Sequence, residues 1–172
     1  MDHDRRLAPL PFPGDDGLAN PQTRRRLAQA LAQPTPLAYL RAVAALCTDR
    51  LLVPVVATAT RLGTTAGGLA SDKEAEMAVV MLQAADGRRA MLAFTGLDSL
   101  QAWRPDARPV PVTVDLVAQT ARSEDAAAVL VDVAGPHPLV VEGEVLDELA
   151  AGHRLVETSA EAFGWAVTAA PE

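Results

Sequence analysis

The pair Asp86-Gly87 constrains the fold more than any other feature of this 172-residue chain. Asp-Gly is a preferred sequence for the tight turn of a β-hairpin, and apolar residues flank it on both sides. A two-residue turn at this pair would place Val79 opposite Phe94. Both faces of such a hairpin are apolar, so we expect a sheet that is covered on both sides.

Capping residues predict where the helices begin. Asn20 and Thr35 each precede a proline, which is tolerated at the first position of a helix. Thr95 is expected to cap a short helix that stops before Pro105. Hydrophobic patterns predict further helices at 114–122 and around 145–149, and strands at 51–58, 127–133 and 139–141.

The order of these elements predicts an α+β fold, a single domain with a mixed, largely antiparallel sheet covered by helices on both faces. Proline and glycine suggest that residues 1–19 form an extended N-terminal arm. Residues 20–153 would form the domain, and residues 154–172 a C-terminal tail. Because only 3% of the residues are aromatic, the core must be largely aliphatic.

Charge and cysteine content narrow the setting of the protein. The formal net charge is -7, and residues 123–172 carry ten acidic groups but only one basic group, Arg154. A nucleic-acid backbone would be repelled there, so no nucleic-acid partner is expected. Cys47 is the only cysteine, and no apolar stretch is long enough for a membrane span. We therefore expect a cytoplasmic protein without a membrane contact.

No residue pattern predicts catalysis, a metal or a cofactor. The glycine-rich loop at 63–68 lacks the Lys-Ser/Thr pair that a phosphate-binding loop needs. His3, His137 and His153 are too widely spaced for a metal-binding motif. Cys47 lies on the apolar stripe of a helix, where a thiol is inert. We assign no catalytic residue, no metal ligand and no cofactor.

Two groups of residues are candidates for a ligand or partner surface. The first is a charged group at a strand entry, which an ordinary solvated surface would also explain; it comprises Asp72, Lys73, Glu74 and Glu76. The second combines an acidic helical ridge with two aromatics of the tail; it comprises Glu144, Asp147, Glu148, Phe163 and Trp165. A protein partner or self-association would use such a surface.

Four segments of the chain resemble the SseB family of bacteria, whose name refers to an enhanced serine sensitivity phenotype. They are FPGDDG at 12–17, LLVPVVA at 51–57, the long stretch at 71–112 and VLVDVAGPHPLVVEG at 129–143. The resemblance extends from about residue 12 to about residue 150. It implies a fold and a cytoplasmic bacterial setting, and it brings no agreed catalytic residues.

The sequence favours a non-enzymatic binding or regulatory module that recognises a protein or a small polar ligand. One alternative is an enzyme or accessory factor of serine or sulfur metabolism, which the family name suggests. Another alternative is a structural dimerisation unit built on the C-terminal segment. An enzyme would need a closed pocket with a strongly perturbed titratable group, whereas a binding module would present an open patch.

Overall fold

The computed structural model describes residues 12–58 and 76–167. Within these ranges the chain forms five helices and nine strands. The helices are α1 Pro21–Ala32, α2 Pro36–Leu46, α3 Leu97–Trp103, α4 Val114–Ser123 and α5 Gly143–Ala150. The strands are β1 Arg50–Thr58, β2 Glu76–Val79, β3 Met81–Gln83, β4 Arg89–Ala93, β5 Arg108–Thr113, β6 Ala128–Val131, β7 Leu139–Glu142, β8 His153–Ser159 and β9 Ala162–Val167.

The first two helices begin where their capping residues predict. The side chain of Asn20 accepts a hydrogen bond from the backbone N–H of Gln22, and that of Thr35 accepts one from Ala38. Each cap satisfies a backbone donor that the first helical turn leaves without a partner. The prediction of both helix starts is confirmed.

The strands form a mixed, largely antiparallel arrangement, which confirms the α+β prediction. One sheet has the order β2-β1-β5, and a second has the order β3-β4-β6-β7. Only the β4–β6 pair among them is parallel. The backbones of Leu52 and Phe94 exchange hydrogen bonds of 2.7 and 2.9 Å, which connects β1 to the end of β4.

The hairpin forms at Asp86-Gly87, but the predicted register is wrong by one residue. Gln83 pairs with Arg89, so the loop is longer than the expected two residues. Gly87 has a φ of +87°, which suits the last position of a three-residue hairpin loop. Val79 therefore does not face Phe94; it pairs with Val55 of β1.

The second sheet is fully covered on one side and covered over part of the other, so the prediction from the two apolar faces of the hairpin holds only in part. Met91 points into the main core, which α1, α2, α4 and α5 help to enclose. Leu92 points into a second cluster on the opposite face with Phe94, beneath Leu100 of α3. Neither Phe94 nor Leu100 has any solvent-exposed surface. Two separate apolar layers thus stabilise the same sheet.

The C-terminal segment contains a β-hairpin formed by β8 and β9. Leu155 of β8 is buried, and Phe163 and Trp165 of β9 are half-buried against the main core. Thr158 lies near the end of β8 and Glu161 in the turn before β9, so this Thr-x-x-Glu sequence, a common start of a helix, does not begin one here. Cross-strand pairing of the apolar residues prevails over the local signal.

Candidate functional site

A buried carboxylate, Asp132, organises the polar interior at the end of β6. It has no exposed surface and a φ of +51°. One oxygen accepts hydrogen bonds from the Thr95 backbone N–H at 2.8 Å and from the Ser99 hydroxyl at 2.6 Å. The other accepts a hydrogen bond from the Thr95 hydroxyl at 2.6 Å. Thr95 therefore binds Asp132 and does not cap α3 as the sequence suggested; Gly96 is the residue at that cap.

Arg24 of α1 completes this cluster. Its Nε atom lies 3.3 Å from Asp132 and donates a hydrogen bond to the Thr95 hydroxyl. Its two terminal nitrogens donate to Asp98 at 3.0 and 2.7 Å. These hydrogen bonds from Arg24 hold the pKa of Asp98 below its usual value. The cluster therefore links α1, α3 and β6 by charge-assisted hydrogen bonds.

A second ion pair fastens the segment before α1 to the domain. Arg50, itself largely buried, donates from Nε and a terminal nitrogen to the two oxygens of Asp15 at 2.6 and 2.9 Å. It also donates to the backbone oxygens of Leu18 and Thr95. The bidentate contact with Arg50 lowers the pKa of Asp15. Both ion pairs are thus engaged in holding the fold together.

An open cavity of about 760 Å³ lies beside this segment. Phe12, Leu18 and Pro21 supply apolar surface to it. Its acid Asp49 already accepts hydrogen bonds from the Thr23 hydroxyl at 2.7 Å and from the backbone N–H of Arg50 at 2.8 Å. Asp15 and Asp49 of this cavity are thus engaged within the fold, whereas Asp16 is exposed and accepts one hydrogen bond, from the backbone N–H of Leu18 at 2.9 Å.

A smaller groove of about 360 Å³ crosses the second sheet on the face that carries Leu92. Its floor contains the smallest side chains of that face, Ala90 and Ala128. Its apolar walls include Leu82 and Val140, which are 38% and 44% exposed. Large aliphatic side chains that border a concave surface yet remain exposed mark a site for another apolar group.

This groove is the half of the sheet face that no element covers among residues 12–58 and 76–167. The other half of the same face is covered by α3, whose Leu100 packs with Leu92 and Phe94. Three charged side chains, Arg88, Arg89 and Glu142, border the groove. Arg88 pairs with Asp86 at 2.7 Å and Arg89 lies 3.7 Å from Glu124, whereas the carboxylate of Glu142 makes no hydrogen bond with the described residues. The groove therefore combines apolar walls with one acidic group that is available to a partner.

The residues predicted for a partner surface are placed as follows. Asp72, Lys73 and Glu74 lie outside the described residues, and Glu76 begins β2 opposite Thr58.

The acidic ridge lies on α5, but two of its three charges are already paired. Asp147 contacts Arg122 at 2.5 Å and Glu148 contacts His153 at 2.6 Å, while Glu144 is exposed. Phe163 and Trp165 are two residues apart on β9 and therefore share one face of that strand, and neither lines the groove.

Sequence reasoning did not identify the groove. The signal for it was present in the alanines near the starts of β4 and β6, Ala90 and Ala128, which pair with each other across the two strands. The two alanines leave a shallow place at one end of this face, but the sequence does not show which part of the face a helix covers. The position of α3 over only half of the sheet is what leaves the groove open.

Two further searches of the described residues concern metals and membranes. Within 12–58 and 76–167, no three His, Cys, Asp or Glu side chains are grouped as a metal ion would require. None of the helices in these ranges is both long and apolar enough to cross a bilayer.

Comparison with known families identifies the domain. The SseB protein N-terminal domain matches residues 24–148, which is most of the chain. The chain belongs to the SseB family. Neither a curated protein nor a solved structure matches it. The groove and the Arg24–Asp132 cluster lie inside the SseB domain, whereas the β8–β9 hairpin follows it.

Proposed function

We propose that this SseB-family chain is a cytoplasmic, non-enzymatic binding module that recognises a partner protein through the groove on its second sheet. The observation that carries the proposal is the uncovered apolar half of that sheet face. Leu82 and Val140 border it and remain exposed although they lie beside a packed core. In a monomer such a concave apolar surface is costly to expose, and a partner that covers it gains the free energy of burial.

The partner chemistry that fits best is an amphipathic helix with a basic residue beside its apolar face. A helix already packs on the other half of the same face, where Leu100 of α3 contacts Leu92. The alanine floor, Ala90 and Ala128, would let a second helix approach the sheet closely. Glu142 at the border would accept a hydrogen bond from a lysine or arginine of that helix.

The charge of the protein favours the same kind of partner. The net charge of -7 attracts basic segments over distances of about a Debye length, roughly 8 Å at physiological salt. Electrostatic attraction of this kind raises the association rate, while burial in the groove determines how long the complex lasts. A basic amphipathic helix satisfies both requirements.

The polar groups of the described residues support a binding role over the rival of an enzyme in amino-acid or sulfur metabolism. The oxygens of Asp132, the donors of Arg50 and the carboxylate of Asp15 all bind other parts of the fold. A catalytic acid or base must instead be available to a substrate. The rival draws on the phenotype in the family name, and the groove offers it a single unpaired carboxylate, Glu142, with no second acid, base or nucleophile beside it among the lining residues.

A displayed library of random peptides tests the proposal. The library is selected against the full chain, and the selected peptides are then titrated against Val140→Lys, which places a cation in the groove wall. Val110→Lys is the matched control, because Val110 is another exposed strand valine, 37% accessible, that does not line the groove. We expect basic amphipathic peptides that lose at least about tenfold in affinity for Val140→Lys alone.

Two outcomes would overturn the proposal. One is a library that yields no binding peptide. The other is a set of peptides whose affinity falls equally in the Val140→Lys and Val110→Lys variants, because such peptides would bind another surface or respond only to net charge. Circular dichroism of both variants establishes that the comparison is made between folded proteins.

A further inference from the structure

The strand β9 differs from the edge strands β5 and β7 in having no protection against pairing with another strand. The edge strand β5 carries Pro109 and Pro111, and β7 is only four residues long and ends in Glu142. Prolines, charges and short length are the usual protections of an edge. The sequence of β9, AFGWAV, contains no proline and no charge. Within the described residues it pairs with β8 alone.

The hairpin holds this edge in a fixed position. Leu155 of β8 is buried in the main core, and its backbone N–H donates to the Cys47 sulfur at 3.4 Å. Arg41 of α2 donates to Glu157 at 3.0 and 2.8 Å and to the backbone oxygen of Ala160 at the turn. An isolated two-stranded hairpin is marginally stable, so these anchors are what present β9 as a firm edge.

We propose that β9 pairs with β9 of a second copy of this chain, in antiparallel orientation about a two-fold axis at Gly164. The pairing would join the two hairpins into one four-stranded sheet. Phe163 of one copy would lie opposite Trp165 of the other, and the symmetry creates this aromatic pair twice. Both aromatics are half-buried in the single chain and have surface left to bury.

The second copy is the occupant that the composition of β9 favours. Pairing about Gly164 sets Ala162 opposite Ala166 of the other copy, so no like charges meet although the whole chain carries -7. Gly164, the residue at the axis, has no side chain, so the two copies meet there without a steric conflict between side chains. This surface is separate from the groove, so the dimer does not depend on the function proposed above.

Two variants of the full chain test the pairing and its register. Ala162 and Ala166 are exposed, so charges at these positions are tolerated by the single chain. In Ala162→Glu/Ala166→Glu, like charges face each other across the proposed axis. In Ala162→Lys/Ala166→Glu, opposite charges face each other. Both variants carry the same Ala166→Glu substitution, opposite Arg154 within the hairpin, and they differ only at position 162.

Sedimentation equilibrium measures the dimer dissociation constant over about 1 µM to about 300 µM protein, with circular dichroism as a check of folding. We expect a dimer for the wild type and for the Lys/Glu variant, and a dissociation constant at least about tenfold higher for the Glu/Glu variant. A wild type that stays monomeric throughout, or a dimer that the Glu/Glu variant leaves intact, would overturn the proposal. Equal weakening of both variants would overturn the register about Gly164.

Discussion

Arg24 of α1 places its Nε atom 3.3 Å from a carboxylate oxygen of Asp132, whose side chain is completely buried. The two residues come from opposite ends of the SseB domain, so their contact closes the domain on itself. Thr95 and Ser99 donate to the same carboxylate and bring the start of α3 into the cluster. Because a buried charge without partners is costly, the cluster depends on each of its members.

The charge of Asp132 should be essential for stability. In Asp132→Asn the side chain keeps its shape, but an NH2 group replaces one carboxylate oxygen. This group donates hydrogen bonds and cannot accept the ones that the oxygen accepted. We expect the free energy of unfolding to fall by about 2 to 4 kcal/mol in a denaturant titration. Asp125→Asn is the control, since Asp125 also has a positive φ, +56°, but is exposed. Equal losses in the two variants would show that backbone conformation, and not the buried charge, is responsible.

Gly17 should be sensitive to substitution because the segment before α1 packs tightly against α3. A Cβ atom at Gly17 would clash with a methyl group of Leu97, whereas one at Gly14 would have nothing within 4 Å. Both glycines have a positive φ, +76° and +83°, so alanine strains the backbone similarly at each. We expect Gly17→Ala to lower the free energy of unfolding by about 1 to 3 kcal/mol more than Gly14→Ala. Equal effects would mean that Leu97 moves aside freely.

The pair of Asp15 and Arg50 should contribute to the pH dependence of stability. Hydrogen bonds from Arg50 lower the pKa of Asp15 in the folded protein, so the unfolded chain binds a proton more readily. The stabilisation is present above the ordinary aspartate pKa of about 4 and is lost as the pH falls further. Unfolding titrations of wild type and Asp15→Asn should therefore differ most near neutral pH and converge in acid. A difference that stays constant down to the acid range would contradict this.

Cys47 should react slowly with thiol reagents in the folded protein. The residue is 7% exposed, and burial raises the pKa of its thiol, so little thiolate is available to react. We expect labelling of the native chain to be at least about 100-fold slower than labelling in denaturant. Comparable rates in both conditions would show that α2 and β8 separate easily at this position.

Local signals in the sequence predicted where helices and turns form better than they predicted which residues pair between strands. The caps at Asn20 and Thr35 and the turn at Asp86-Gly87 were foreseen, because each depends on residues close in sequence. The hairpin register was missed, since the same Asp-Gly pair fits a two-residue and a three-residue loop. The pairing of Val79 with Val55 in β1 is a long-range contact that the local sequence does not show.

The polar cluster and the groove could not be predicted for a related reason. Thr95 carries the signature of a cap, but its hydroxyl finds a charged acceptor in Asp132, which lies far along the chain. A hydrogen bond to a buried charge is stronger than an ordinary cap. Arg24 is the first of three consecutive arginines, and nothing in the local sequence distinguishes it from Arg25, which is exposed. The roles of Thr95 and Arg24 follow only from their contacts in the folded protein.

Amide hydrogen exchange of the full chain, alone and saturated with a selected peptide, tests the central claim most directly. A helix docked in the groove should suppress local opening of β3 and β7, the outer strands of that sheet, and slow exchange in both. The account predicts slower exchange in these strands and unchanged exchange at residues 12–21, which border the larger cavity. Slower exchange confined to residues 12–21, with β3 and β7 unchanged, would contradict it.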